Sequence, residues 1–76
     1  MPKGFGDERY RRLIQELVAA RKARGLSQQA LADRLGSHQQ HVSRYELGER
    51  RLDVIEFMDV ARALGLSAAT LIEQPG

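Results

Sequence analysis

The sequence predicts an all-α fold, a compact domain of five helices. Apolar residues recur at helical intervals along nearly the whole chain, and no stretch alternates apolar and polar residues as a strand does. Residues that favour helix N-caps precede the apolar stretches, and a glycine closes most of them. No internal repeat or low-complexity segment interrupts this pattern.

Length and composition narrow the possible functions. A 76-residue chain allows one small domain and buries only about 60% of its unfolded surface, so we expect no catalytic cleft, no cofactor and no small-molecule ligand domain. The absence of cysteine excludes disulfides and thiolate metal sites and fits a reducing compartment. The apolar runs are far shorter than the roughly 18 residues of a membrane span, and the first residues do not resemble a signal peptide. We expect a cytoplasmic protein with no membrane partner.

Charge is distributed unevenly along the chain. The net charge is +2, but residues 1–52 hold eleven Lys or Arg against six Asp or Glu, and residues 53–76 hold one against four. A basic part and an acidic part on one small domain indicate a polyanionic partner on one side.

The chain begins with a loose segment and a long helix. Residues 1–6 contain Pro and two Gly and are predicted to be a flexible N-terminal arm, so the domain is predicted at residues 7–74. The first helix is predicted from about Asp7 to Arg24, and Gly25 ends it.

Two short helices follow. Ser27 is a good N-cap for the second helix, which ends at Gly36. The third helix starts at Ser37 or His38 and ends near Gly48.

The fourth helix, predicted at residues 53–64, is apolar on most of its circumference. Its polar residues Glu56, Asp59 and Arg62 form one narrow stripe. Such a helix is expected to be buried on more than one side, so it is either the central helix of the core or is covered by a partner subunit. Ser67 caps a fifth helix.

The segment SHQQHVSRYE, at residues 37–46, is unusually polar for the middle of so small a protein. Only Val42 and Tyr45 are apolar, and they are three residues apart, so both can face the second helix. Ala32 is small where the two helices would cross, and Gly36 can take the positive φ that the turn needs. Two short helices joined in this way are a candidate helix-turn-helix.

Several short motifs occur in a fixed order and spacing along the chain. They are GLSQ at 25–28, LA at 31–32, LG at 35–36, VSRYE at 42–46 with Gly48, and ALGLS at 63–67. On these segments the chain resembles the phage-repressor (lambda repressor and Cro-type) helix-turn-helix family over roughly residues 9–73. The resemblance implies a transcriptional regulator of bacterial or phage type, most simply a repressor. It would bind double-stranded DNA as a homodimer, on a pseudo-palindromic site whose half-sites lie about 34 Å apart.

The resemblance also implies roles for individual residues. The third helix becomes the recognition helix in the major groove, with base contacts from Gln39, Gln40, Ser43 and Arg44. Glutamine can form two hydrogen bonds with adenine, and arginine can do the same with guanine.

Other positions are expected to hold the protein on the DNA or to hold the protein together. The predicted phosphate contacts are Gln28, His38, Arg50, Arg51, Lys22 and Arg24. Arg21 and Glu46 match the positions of an internal ion pair of the family. The predicted dimer interface consists of Leu64, Leu66, Leu71 and Ile72.

Some alternatives stay open at this stage. The family usually has an aliphatic residue at the place of Ser37 and a Ser or Thr cap at the place of His38, so either Ser37 caps the third helix or His38 caps it poorly. His38 and His41 alone are too few for a metal site, and we expect none. Gln39 and Gln40 could form an ordinary solvated face. The protein could instead be an antitoxin or bridging-type module whose main partner is another protein.

Overall fold

The computed structural model describes residues 7–73, and within them the chain forms five α-helices and no strand. The helices are α1 (Glu8–Ala23), α2 (Gln28–Leu35), α3 (Gln39–Glu46), α4 (Val54–Ala63) and α5 (Ala68–Glu73). The predicted all-α architecture is therefore confirmed. The predicted arm at residues 1–6 lies outside the described residues, as does the predicted end of the domain at 74. Over the described part of the chain, no helix is long and apolar enough to cross a membrane.

Side-chain caps set the starts of four helices. Asp7 caps α1, Ser27 caps α2 and Ser67 caps α5, each accepting a backbone N–H from two or three residues further on. A capping box starts α4: the Asp53 carboxylate accepts from the Glu56 N–H at 2.7 Å, and the Glu56 carboxylate accepts from the Asp53 N–H at 3.0 Å. The caps predicted for α2, α4 and α5 are all observed.

The turn between α2 and α3 is closed by Gly36. Its φ of +65° lies in the left-handed region, which a residue with a Cβ rarely adopts. The Gly36 N–H donates to the Asp33 carbonyl oxygen at 3.2 Å, and the Ser37 N–H donates to the Ala32 carbonyl oxygen at 2.9 Å. These two bonds end α2 abruptly and direct the chain into α3.

The core lies where the five helices meet. α2 packs against α3 and α4, α1 packs against α3 and α5, and α4 packs against α5. The buried apolar residues are Ile14, Leu17, Leu31, Ala32, Val42, Tyr45, Leu52, Phe57, Val60, Ala61, Leu64 and Leu71. With α1 and α2 both packed against it, α3 is supported on one side and presents its other side outward.

The fourth helix is buried on one face only. Phe57, Val60 and Ala61 are buried, whereas the side chains of Val54 and Ile55 are 69% and 63% exposed. The interpretation of α4 as the central helix of the core is therefore wrong. The large apolar residues outside the buried face, Val54, Ile55 and Met58, are exposed on the surface of the domain.

Two residues of the predicted dimer interface belong to the core of the domain. Leu64 is fully buried, and Leu71 is 6% exposed. This corrects the prediction for both residues, because side chains that fill the core are not available to a second subunit. Leu66 is half-buried and Ile72 is 57% exposed, so these two stay candidates.

Candidate nucleic-acid interface

Two buried side chains fasten α3 to the rest of the domain. Val42 and Tyr45 are fully buried, as their spacing predicts. Of the two predicted starts for this helix, the structure has the later one: His38 occupies the N-cap position and makes no side-chain capping bond. The first N–H groups of α3 therefore lack the side-chain acceptor that the other capped helices have.

The outward side of α3 carries the predicted base-contacting residues. Gln40 and Arg44 are exposed and lie four residues apart, which places them on the same side of the helix. Gln39 and Ser43 are half-buried at the edge of this surface. All four side chains carry hydrogen-bonding groups, and they are aligned along one short helix.

An ion pair links α1 to the end of α3. The Arg21 guanidinium donates to both carboxylate oxygens of Glu46, from Nε to Oε2 at 2.7 Å and from Nη2 to Oε1 at 3.0 Å. The two side chains are only 11% and 7% exposed, and Arg21 also donates from Nη1 to the Leu26 carbonyl oxygen at 2.8 Å. The bond to Glu46 raises the pKa of Arg21 above its usual value. This is the pair that the sequence predicts.

The ion pair continues into a chain of amide hydrogen bonds. Gln28 Nε2 donates to Glu46 Oε1 at 2.9 Å, and Gln39 Nε2 donates to Gln28 Oε1 at 2.7 Å. We call the series Arg21, Glu46, Gln28 and Gln39 the amide relay. The sequence analysis paired Arg21 with Glu46 but gave Gln28 and Gln39 separate roles, and it missed the bonds that join them to this pair, since apolar spacing does not indicate which polar groups meet.

The segment after α3 is fixed by a second ion pair. Arg50 donates to Glu56 from Nη1 to Oε1 at 3.2 Å and from Nη2 to Oε2 at 2.7 Å. This bond lowers the pKa of Glu56 and raises the pKa of Arg50. The Arg50 side chain is 37% exposed and is paired within the protein, and its phosphate contact stays a prediction. The D-x-x-E spacing of Asp53 and Glu56 signals the capping box in the sequence, but no local signal pairs Glu56 with Arg50.

Tyr10 of α1 holds the same segment at two points. Its hydroxyl oxygen accepts from the backbone N–H of Leu52 at 3.0 Å. The guanidinium carbon of Arg51 lies 4.1 Å from the centre of the Tyr10 ring, in a cation–π contact. Arg51 is itself exposed, so it can still present charge to a partner. Tyr10 was not among the predicted site residues.

The remaining predicted phosphate contacts lie at different places. His38 is exposed at the start of α3, and Lys22 is exposed on the last turn of α1. The Arg24 guanidinium lies beside Gly65, where a Cβ would stand 3.5 Å from its Nη2, and it donates to the Ala20 carbonyl oxygen at 3.4 Å. Among residues 7–73 there is no group of three or more His, Cys, Asp or Glu side chains that could hold a metal ion.

Comparison with known proteins places this geometry among helix-turn-helix proteins. The helix-turn-helix family model matches residues 17–71, which include all of α2, α3 and α4. An XRE-family like protein from Pseudomonas syringae pv. tomato is similar in structure, with a TM-score of 0.80, 50% sequence identity, and coverage of 84% of this chain and 78% of that one.

A second relative is known by sequence. An uncharacterised HTH-type transcriptional regulator of Sinorhizobium fredii is 43% identical over 54 residues, which are 71% of this chain. The matched segment spans only 28% of that protein. Neither the matched family nor the names of the two relatives indicate an enzyme.

Proposed function

Because the chain belongs to the helix-turn-helix family, we propose that it is a transcriptional regulator that binds double-stranded DNA in a sequence-specific manner. In this proposal α3 enters the major groove and reads base edges with Gln39, Gln40, Ser43 and Arg44. A repressor that blocks polymerase is the simplest form of such a regulator.

The observation that carries the proposal is the two-sided character of α3. Val42 and Tyr45 are fully buried on one side, while Gln40 and Arg44 are exposed on the other. Base edges in the major groove present donors and acceptors, to which the amide of Gln40 and the guanidinium of Arg44 can form hydrogen bonds. Membership of the helix-turn-helix family also supports DNA binding by α3.

The proposal is tested by selection from a random duplex library, followed by titration of the selected and a scrambled duplex at two salt concentrations. We expect a shared sequence bound about a thousandfold more tightly than the scramble. Gln40→Ala and Arg44→Ala should each weaken binding to that sequence about 5- to 150-fold, with lost preference at one base pair per half-site. The matched controls Gln15→Ala on α1 and Arg62→Ala on α4 should leave that preference unchanged. Binding that depends on salt but not on sequence would contradict the proposal.

We further propose that the protein binds DNA as a homodimer through an apolar surface on α4 and α5. The α4–α5 strip consists of Val54, Ile55, Met58, Leu66 and Ile72. Four of these residues are between 42% and 69% exposed, and exposed apolar patches often mark interaction sites. Met58 of α4 and Leu66, which lies just before α5, line the same shallow depression, so the apolar surface continues from α4 to the start of α5.

The dimer is tested by measuring mass in solution across a concentration series. Ile55→Glu should shift the protein to the monomer and should weaken binding to a two-half-site duplex more than binding to a single half-site. Leu47→Glu is the matched control, because Leu47 is 68% exposed but lies beyond the end of α3, outside the strip. A wild-type protein that stays monomeric both alone and on its selected duplex would contradict the dimer.

The alternative function is an interaction module whose main partner is another protein. The exposure of the α4–α5 strip favours it, because an exposed apolar strip suits any protein partner. The same experiments separate the two functions. A regulator gives a selected DNA sequence, whereas an interaction module gives a monomer with no DNA preference.

A further inference from the structure

We propose that Glu46 is a positioning residue that determines which end of the Gln39 amide faces the DNA, acting through Gln28. The inference rests on the proposed function, since it concerns the base pair that Gln39 would contact. According to this inference, Glu46 influences which DNA base the protein prefers, in addition to forming the ion pair with Arg21.

The argument starts from the chemistry of a carboxylate. Glu46 is paired with Arg21, and an ionised carboxylate can only accept hydrogen bonds. Its Oε1 atom accepts from Gln28 Nε2 at 2.9 Å. Gln28 must therefore turn its NH2 group toward Glu46, and its carbonyl oxygen must point the other way.

The same constraint passes on to Gln39. The Gln28 carbonyl oxygen can only accept, so Gln39 must offer it an N–H, which it does from Nε2 at 2.7 Å. Without such a constraint a glutamine amide can turn over by 180°, since its oxygen and nitrogen ends have nearly the same size. Glu46, Gln28 and Gln39 are buried or half-buried, which strengthens the hydrogen bonds between them.

A fixed amide has a fixed preference for a base. Gln39 keeps its Oε1 atom and one N–H for the partner, in an arrangement that the relay sets. Adenine presents an N6 donor beside an N7 acceptor and matches this pair, whereas guanine presents two acceptors. We therefore expect Gln39 to prefer adenine over guanine by about 5- to 150-fold.

The test compares base preferences of variants selected on the same random duplex library. In Glu46→Gln the new amide can donate as well as accept, so the relay loses its direction. The adenine preference at one position per half-site should fall at least several-fold, while preferences at other positions stay. Gln28→Met breaks the relay but leaves the Arg21–Glu46 ion pair intact. It should reduce the adenine preference in the same way, and it replaces Glu46→Gln in the test if that variant does not fold.

The control is Arg21→Lys, which keeps a positive charge beside Glu46 and weakens the ion pair. It should lower the unfolding temperature without changing the adenine preference, because the carboxylate still only accepts. Loss of a phosphate contact by Gln28→Met would weaken binding to all sequences alike and so cannot imitate a change at one position.

The outcomes separate the two proposals. If the wild type selects no shared sequence, the proposed function fails, and this inference fails with it. If the wild type selects a sequence whose preferences Glu46→Gln and Gln28→Met both leave unchanged, the proposed function stands and the relay inference is overturned. It is also overturned if Arg21→Lys changes the adenine preference as much as Glu46→Gln does.

Discussion

The two tyrosines allow a paired prediction about buried hydroxyl groups. The Tyr10 hydroxyl accepts a hydrogen bond from the Leu52 N–H at 3.0 Å. The Tyr45 hydroxyl is fully buried and has no hydrogen-bond partner within the described part of the chain. Replacing each tyrosine by phenylalanine removes the same atom, so the difference between Tyr10→Phe and Tyr45→Phe measures the surroundings of that atom alone.

The expected magnitudes follow from these surroundings. Tyr10→Phe leaves the N–H of Leu52, a residue that is 6% exposed, without its acceptor, which should lower the free energy of unfolding by about 1–3 kcal/mol. The aromatic ring stays, and with it most of the contact with Arg51. Tyr45→Phe removes a buried hydroxyl whose desolvation no bond compensates, so the free energy of unfolding should stay the same or rise by up to about 1 kcal/mol. Burial also raises the pKa of Tyr45, because the charged form is even harder to bury.

Urea unfolding of the two variants and the wild type, followed by far-ultraviolet circular dichroism, measures these differences. We expect the midpoint of Tyr10→Phe to fall and that of Tyr45→Phe to stay or rise, at unchanged m-values. A Tyr45→Phe variant as destabilised as Tyr10→Phe would refute the reasoning, since it would mean that the Tyr45 hydroxyl is hydrogen-bonded in the native protein. A Tyr10→Phe variant with the same urea midpoint as the wild type would refute the predicted contribution of the Tyr10–Leu52 hydrogen bond.

Two further changes test the loop and the turn. Glu56→Gln keeps the capping box but removes the ion pair with Arg50, so it should lower the unfolding temperature at pH 7. The folded-state pKa of Glu56 lies below its unfolded value, so this stabilisation is present above the unfolded pKa of about 4.5 and is lost as the pH falls through the folded-state pKa. The difference in unfolding temperature between the wild type and Glu56→Gln should therefore become smaller below pH 4. A difference that does not depend on pH would argue against a stabilising ion pair. Gly36→Ala has open space around the new Cβ but must hold φ at +65°, so it should cost about 1 kcal/mol in unfolding free energy, seen as a lower melting temperature. Gly36→Asn should cost less, and equal stability of Gly36→Ala and wild type would count against the strain.

The order of the helices could be predicted because helix starts and ends depend on residues that are close together in the sequence. Ser27 and Asp53 cap the helices that follow them, and Gly36 ends α2, each through bonds to residues within five positions. The inward direction of Val42 and Tyr45 likewise follows from spacing along one helix. These features depend on the chain near each residue and need no knowledge of the fold.

What could not be predicted depends on which elements meet. Apolar spacing groups Val54, Ile55 and Leu64 on α4 and its end, but only packing decides that Leu64 fills the core while the other two stay exposed. The charge of Arg50 suggests a phosphate contact, but nothing in the sequence around it indicates that it also pairs with Glu56, six residues on. Long-range polar contacts of this kind leave no periodic trace in the sequence.

The outward residues of α3 differ in how many contacts they make with the rest of the domain, and this affects how freely each can be substituted in evolution. Gln40 and Arg44 are exposed, so replacing either one alters the outward face at a cost typical of surface positions, within about 0.5 kcal/mol of folding free energy. Gln39 is different, because its replacement leaves the Gln28 carbonyl oxygen without its donor. Descendants of this chain can therefore change two positions of the outward face one substitution at a time. A change at Gln39 also alters the hydrogen bonds of Gln28, so these two positions are expected to change together more often than Gln40 and Arg44 do.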